Sequence, residues 1–317
     1  MAGWYSMTRV VCTITLWPLW ALTFCLVAAG CANEKKNHPK HTIIGDETFT
    51  LNGLERTYKI YVPTNLSPNS PVVFVLHGMN STSDWSYHAG FNGLADRHGF
   101  LAVYPQSHRK RIKLGPFTIY NVRWNPANED ELYEGRNDVE FLSSLALYLE
   151  EKFQLNSAKT FVAGFSIGGA MSYTLICQAG DIFEAAAVVS GLIVEDVFAN
   201  CDPGTPKSIV HLHGTDDSLA PINGERKGSK AGTDIGMEKA VEYFARLNNA
   251  VEKETTQVSR NAQLTQYTSN GNGIEVQYYR IENHGHLWPG GDTGGKKIND
   301  ESGLNATAII ANFFAQL

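Results

Sequence analysis

Along most of the chain, short apolar runs alternate with segments whose apolar residues recur every three or four positions. Thr48 to Leu51 and Arg56 to Val62 alternate in polarity on either side of Asn52-Gly53, the pattern of an antiparallel hairpin with a tight turn. Val72 to Leu76 is wholly apolar between Pro71 and Gly78 and predicts a buried strand. Helical spacing follows around His88 to Arg97, then an apolar strand over Phe100 to Tyr104. From Asp138 to Lys152 the residues Val139, Leu142, Leu145 and Leu149, continued by Phe153, fall on one helix face. Further strands are predicted at Thr160 to Ala163, Ala185 to Ser190, Ser208 to His213 and Ile274 to Ile281, with helices near 168–178, 235–247 and 303–316. Strands alternating with helices imply an α/β fold: a mainly parallel sheet with helices on both faces. No repeat, low-complexity stretch or linker breaks the pattern after residue 42, so 42–317 reads as one domain.

The beginning of the chain does not follow this rhythm. After Arg9 no charged residue appears until Glu34, and the run VVCTITLWPLWALTFCLVAAG is almost entirely apolar. It reads as a secretory signal behind a short basic segment, although its length would also let a retained anchor span a bilayer. The run ends in Ala28-Ala29-Gly30-Cys31, which resembles the bacterial lipobox without its usual Leu three residues before the cysteine. That resemblance implies a lipoprotein-type signal peptide over 1–30, lipidation of Cys31 and a membrane anchor in the cell envelope. Simple cleavage, which would leave the protein secreted, is the other outcome. The polar segment Ala32 to His41, with Pro39, completes a tether over 31–41.

Composition and charge narrow the class. With 43% hydrophobic and 18% charged residues in 317, the chain is neither disordered nor fibrous. A net charge of −6 argues against nucleic acid as the partner, since neutralising phosphates needs a Lys/Arg surplus. Of the five cysteines, Cys12 and Cys25 leave with a cleaved signal, and Cys177 and Cys201 remain beyond Cys31. An even count in an exported, oxidising setting predicts a Cys177–Cys201 disulfide, two buried thiols being the alternative.

The sharpest motif is Phe161-Val162-Ala163-Gly164-Phe165-Ser166-Ile167-Gly168-Gly169-Ala170. An apolar strand runs through Gly-x-Ser-x-Gly into a helix, the context of a nucleophile elbow with Ser166 at its tip. A serine hydroxyl needs a base, and the base a carboxylate to orient it. His213-Gly214-Thr215-Asp216-Asp217 follows a predicted strand, which makes Asp217 the preferred acid with Asp216 in reserve. His284 and His286, in Glu282-Asn283-His284-Gly285-His286-Leu287-Trp288-Pro289-Gly290, both occupy the expected place of the base, and spacing does not separate them. The order Ser, Asp, His is that of an α/β-hydrolase. In such a fold the loop Leu76-His77-Gly78-Met79 and the residue after the nucleophile supply oxyanion-hole N–H groups, here from Met79 and Ile167. The histidines His77, His211, His213, His284 and His286 fit no common zinc spacing, so no metal is expected.

Taken together, the chain resembles secreted serine esterases of the polyhydroxybutyrate depolymerase-like and feruloyl esterase-like group, the carbohydrate esterase family 1 type that includes LpqC-type lipoproteins. The marks run from about Gly53 to Gly291: Arg56-x-Tyr58 before Val62-Pro63, Leu76-His77-Gly78, Leu94-Ala95-Asp96, Asp138-Val139-x-Phe141-Leu142, Gly164-Phe165-Ser166, Phe183-Glu184-Ala185, His213-Gly214-Thr215-x-Asp217 and His286-x-Trp288-Pro289-Gly290. The resemblance implies the catalytic set Ser166, Asp217 and His286, supports the Cys177–Cys201 pairing, and requires no cofactor. Asn137 and Ile167 depart from the pattern, where an Asp and a polar residue are frequent. The implied substrates are soluble carboxylic esters: hydroxycinnamoyl or acetyl esters of carbohydrate, or short hydroxyalkanoate oligomers. Trp288 and Trp124 are candidate pocket walls, with core packing the competing role for Trp124, and Thr118 to Gly135 is a candidate substrate-facing loop. A serine peptidase on the same fold and a non-catalytic binding protein are the competing readings.

Overall fold

The computed structural model describes residues 42–114, 117–127, 137–225, 234–269, 275–291 and 300–317. The expected signal peptide, Cys31 and the tether lie outside the described residues, among which no helix is long and apolar enough to cross a membrane.

The chain opens with a hairpin, β1 (Thr42–Leu51) and β2 (Leu54–Val62), enters β3 (Val72–Leu76), passes α1 (Ser83–His88) and α2 (Phe91–His98), and returns through β4 (Leu101–Pro105). A second hairpin, β5 (Arg109–Leu114) and β6 (Phe117–Val122), precedes α3 (Asp138–Phe153), β7 (Thr160–Phe165) and α4 (Ile167–Gln178). Next come β8 (Ala185–Val189), β9 (Ile193–Val194), α5 (Glu195–Ala199) and β10 (Ser208–Gly214). The last part holds β11 (Asp234–Ile235), α6 (Met237–Leu247), a third hairpin of β12 (Glu252–Ser259) and β13 (Ala262–Thr268), β14 (Glu275–Ile281) and α7 (Ala306–Ala315).

Among the described residues ten strands form one sheet, ordered β1-β2-β4-β3-β7-β8-β10-β14-β13-β12. The central strands from β4 to β14 run parallel, and an antiparallel pair flanks them on each side. Period-two alternation explains why β3 is apolar throughout. Val73 and Val75 pack with Phe91, Phe161 and Phe314 on one face, while Phe74 and Leu76 pack with Leu142, Tyr173 and Phe244 on the other. The helix predicted around 88–97 is α2, which starts after Gly90, whose φ of 94° lies in the left-handed region, and α1, which the spacing does not predict, precedes it. The hairpin at Asn52-Gly53 has both residues at positive φ, as a tight primed turn needs. The polarity pattern does not announce β5–β6 or β12–β13. β12 is exposed along nearly its whole length, so no apolar alternation marks it.

Two long-range ties stiffen the frame. The buried Arg56 guanidinium meets Asp138 at 2.6 Å and lies 3.9 Å over the Phe141 ring, joining β2 to the start of α3. Burial pushes the Asp138 carboxyl up, while Arg56 and the Asn125 N–H, at 2.8 Å, act the other way. The second tie is the disulfide Cys177–Cys201, which links the end of α4 to the loop after α5.

Candidate active site

Strand β7 ends in a turn so tight that Ser166 adopts φ 56° and ψ −121° as the cap of α4. The two glycines of the motif make this possible. A Cβ on Gly164 would lie 2.1 Å from the Gly168 carbonyl, and one on Gly168 would lie 2.4 Å from the Leu76 carbonyl. Ser166 N donates to Val189 O at 2.9 Å, so β8 holds the strained residue from the side.

Asp217 follows β10 and His286 follows β14, neighbouring parallel strands whose carboxyl ends lie at the same sheet edge as β7. Ser166 Oγ is 2.8 Å from His286 Nε2, and His286 Nδ1 is 2.7 Å from Asp217 Oδ2. Asp217 Oδ1 accepts from the backbone N–H groups of Leu219 at 2.9 Å and Ala220 at 2.7 Å. Burial alone would raise the Asp217 carboxyl. The hydrogen bonds from His213, His286 and Ala220 outweigh it and hold the group well below the usual carboxylate range. Asp216 is exposed, and its N–H donates to His284 O. His284 is buried with its Nδ1 3.6 Å from Asp300 Oδ1. The structure thus brings Ser166, Asp217 and His286 together and leaves Asp216 and His284 apart from them.

Behind Asp217 runs a buried polar chain that the motifs do not disclose. Tyr173 OH lies 2.7 Å from His211 Nδ1, His211 Nε2 lies 3.0 Å from His213 Nδ1, and His213 Nε2 lies 2.7 Å from Ala220 O. A carbonyl only accepts, so His213 Nε2 carries the proton and sits 3.4 Å from Asp217 Oδ2. Burial, reinforced by the neighbouring His213, pushes the His211 imidazole well below its ordinary range and holds it neutral.

The loop after β3 faces the serine. A Cβ on Gly78 would meet Phe165 Cδ1 at 3.1 Å and Ser166 Cβ at 3.5 Å. His77 anchors this loop: its Nε2 accepts from Ser107 N at 3.1 Å, so Nδ1 donates to Gly78 O at 2.7 Å. Burial lowers the His77 imidazole to about 4. The backbone N–H groups of Met79 and Ile167 have no protein acceptor among the described residues.

Neither tryptophan is a pocket wall. Trp124 is fully buried and donates from Nε1 to His77 O at 3.0 Å, bracing the loop from behind. Trp288 is 2% exposed, donates to Thr307 Oγ1 at 2.9 Å and packs edge-on to Trp85. Phe165 is the ring against His286, with centroids 5.0 Å apart. Both indoles find their N–H partner inside the protein, which removes them from the solvent side.

A cavity of about 320 Å³ opens over Ser166, lined by Met79, Arg123, Asn125, Ile167, Leu219, Asp234 and His286 among others. Within the expected substrate-facing loop at 118–135, Arg123, Asn125, Pro126 and Ala127 line it, and residues 128–136 lie outside the described residues. Arg123 and Leu219 carry no motif, and only the fold brings them to the serine.

Comparison with known proteins agrees with this architecture. The Esterase family, described as "Putative esterase", matches residues 51–289. The feruloyl esterase B of Thermothelomyces thermophilus is 32% identical over 47% of this chain and 48% of its own length. The probable feruloyl esterase C of Aspergillus niger is 28% identical over 69% of this chain and 73% of its own length. The bifunctional acetylxylan esterase/xylanase XynS20E of Neocallimastix patriciarum is 29% identical, but the chain spans only 22% of it, and 33% of an acetylxylan esterase A from Talaromyces purpureogenus. Among solved structures, an acetyl xylan esterase from Aspergillus awamori superposes with a TM-score of 0.54 at 18% identity, covering 76% of this chain and 94% of that one. A ferulic acid esterase from Anaeromyces mucronatus gives 0.52 at 18% identity over 89% and 92%. The fold is that of the α/β-hydrolases, and the chain belongs to the Esterase family.

Proposed function

We propose that this protein is an exported serine esterase that cleaves carboxylic esters through an acyl-enzyme. The observation that carries the reading is the unbroken chain from Ser166 Oγ through His286 to Asp217, at 2.8 and 2.7 Å. In this scheme Ser166 attacks the ester carbonyl while His286 Nε2 takes its proton, Asp217 keeping the other ring proton on Nδ1. The N–H groups of Met79 and Ile167 receive the oxyanion, the alcohol departs with the proton from His286, and water repeats the sequence on the acyl-serine. The acyl groups are those of soluble esters: acetyl or hydroxycinnamoyl groups on carbohydrate, or short hydroxyalkanoate oligomers. Family membership and the feruloyl and acetylxylan esterase relatives support this range.

The purified protein should hydrolyse p-nitrophenyl acetate, p-nitrophenyl butyrate or methyl ferulate and leave an aminoacyl anilide intact, with Ser166→Ala inactive. Undiminished esterase activity in that variant overturns the mechanism. Preference for the anilide would favour a peptidase instead. Export through a lipobox at Cys31 accords with the disulfide, a bond of oxidising compartments. Cys31→Ser should release the protein from the membrane fraction, and unchanged partitioning refutes the anchor.

A further inference from the structure

The cavity over Ser166 is lined by an arginine for which the acyl-transfer scheme has no use. Arg123 directly follows β6 and precedes the buried Trp124, and its backbone N–H is held by His108 O at 3.2 Å. Arg123 is one of the residues that line the same cavity as Ser166 and His286. Its Nε is buried with no hydrogen-bond acceptor, and it forms no ion pair among the described residues. Asp234 lines the cavity too, but no ion pair joins the two. The rest of the wall includes the apolar Met79, Leu192 and Leu219.

An arginine cannot shed its charge, so a partly desolvated guanidinium without an acceptor is costly unless a ligand supplies one. Its planar fork matches a carboxylate. We infer that Arg123 binds a carboxylate carried by the substrate in addition to its scissile ester. Within the esterase reading, on which this inference rests, that selects short hydroxyalkanoate oligomers with a free acid end over neutral acetyl or hydroxycinnamoyl esters. The cavity volume of about 320 Å³ suits a compact acid. It lies at the small end of the roughly 300–1,000 Å³ typical of ligand sites.

The test compares the linear 3-hydroxybutyrate dimer with its terminal primary amide, which keeps the same single ester and loses the charge. Wild-type protein should prefer the acid in kcat/KM, chiefly through KM, and the preference should shrink as salt rises. Arg123→Gln should lower the acid-to-amide ratio roughly 10- to 100-fold, the worth of a hydrogen bond to a charged group, and Arg123→Lys should restore part of it. An acid-to-amide ratio that Arg123→Gln leaves within about twofold of wild type, or a wild type without acid preference, overturns the inference. So does a wild type that cleaves p-nitrophenyl acetate and neither dimer, with the esterase reading intact. No turnover of any ester overturns both.

Discussion

Asp217→Asn tests the acid–base assignment at a single atom. Asp217 Oδ1 receives two backbone N–H groups, from Leu219 and Ala220, and Oδ2 receives His286 Nδ1 at 2.7 Å. Asparagine has one accepting and one donating end. If its oxygen stays on the two backbone N–H groups, its NH₂ faces Nδ1, which must then accept. The ring proton moves to Nε2, and Nε2 can no longer take the Ser166 proton. The flipped side chain would point NH₂ at two buried donors, leaving both unsatisfied at about 1–3 kcal/mol each. A total of about 2–6 kcal/mol confines the flipped form to roughly 3% of molecules or fewer. The kcat for p-nitrophenyl butyrate should therefore fall by at least about 30-fold and, at the upper end of that penalty, by about 10⁴-fold, the size of the corresponding wrong-tautomer effect in serine proteases, with KM nearly unchanged. The thermal midpoint should fall, because both backbone hydrogen bonds survive but the ionised carboxylate that His213 and His286 stabilise is gone. A folded Asp217→Asn protein that keeps a tenth of the wild-type kcat refutes the reasoning: residue 217 would then not set the His286 tautomer.

Three further outcomes are expected. Cys177→Ser with Cys201→Ser opens a loop spanning a sequence separation of 24, and loop-closure entropy puts the loss at about 3.5 kcal/mol; urea unfolding reads it, and an unshifted midpoint refutes it. Burial keeps His77 (about 4) and His211 neutral in the folded protein, whereas the unfolded chain protonates both near pH 6.5, so the unfolded state binds more protons in this window. Stability is then complete above that pH and is lost as pH falls toward about 4, by up to about 1.4 kcal/mol per pH unit for each histidine, and chemical denaturation followed across this range should show that slope. Trp124→Phe leaves the His77 carbonyl without its donor, so it should cost about 1–3 kcal/mol of stability and lower kcat rather than raise KM; a selective KM effect would make Trp124 a substrate wall after all.

Where the sequence was informative, the signal was local. The glycines around Ser166 are dictated by atoms within the motif and the adjoining β3 carbonyl, so the elbow can be read from ten residues. The alternation of Val73 and Val75 against Phe74 and Leu76 likewise exposes a strand covered on both faces. Trp288 shows the opposite case. It stands two residues from His286, but its direction is settled by Thr307, more distant in the chain. Arg123 is similar, since a single cation in a polar stretch looks like solvated surface until the sheet carries it to Ser166. The edge strand β12 is defined by pairing with β13 and not by burial, and periodicity cannot see it.

The Ser166–His286 hydrogen bond closes across 120 positions of sequence and the His286–Asp217 bond across 69. Neither bond can form until β7, β8, β10 and β14 have found their parallel registers. Contacts this distant in sequence are slow to assemble because the intervening chain must be ordered first. Helices α3 and α4, by contrast, need only neighbours in the chain. During refolding, far-ultraviolet ellipticity should therefore return before ester hydrolysis, and turnover becomes a clock for completion of the sheet.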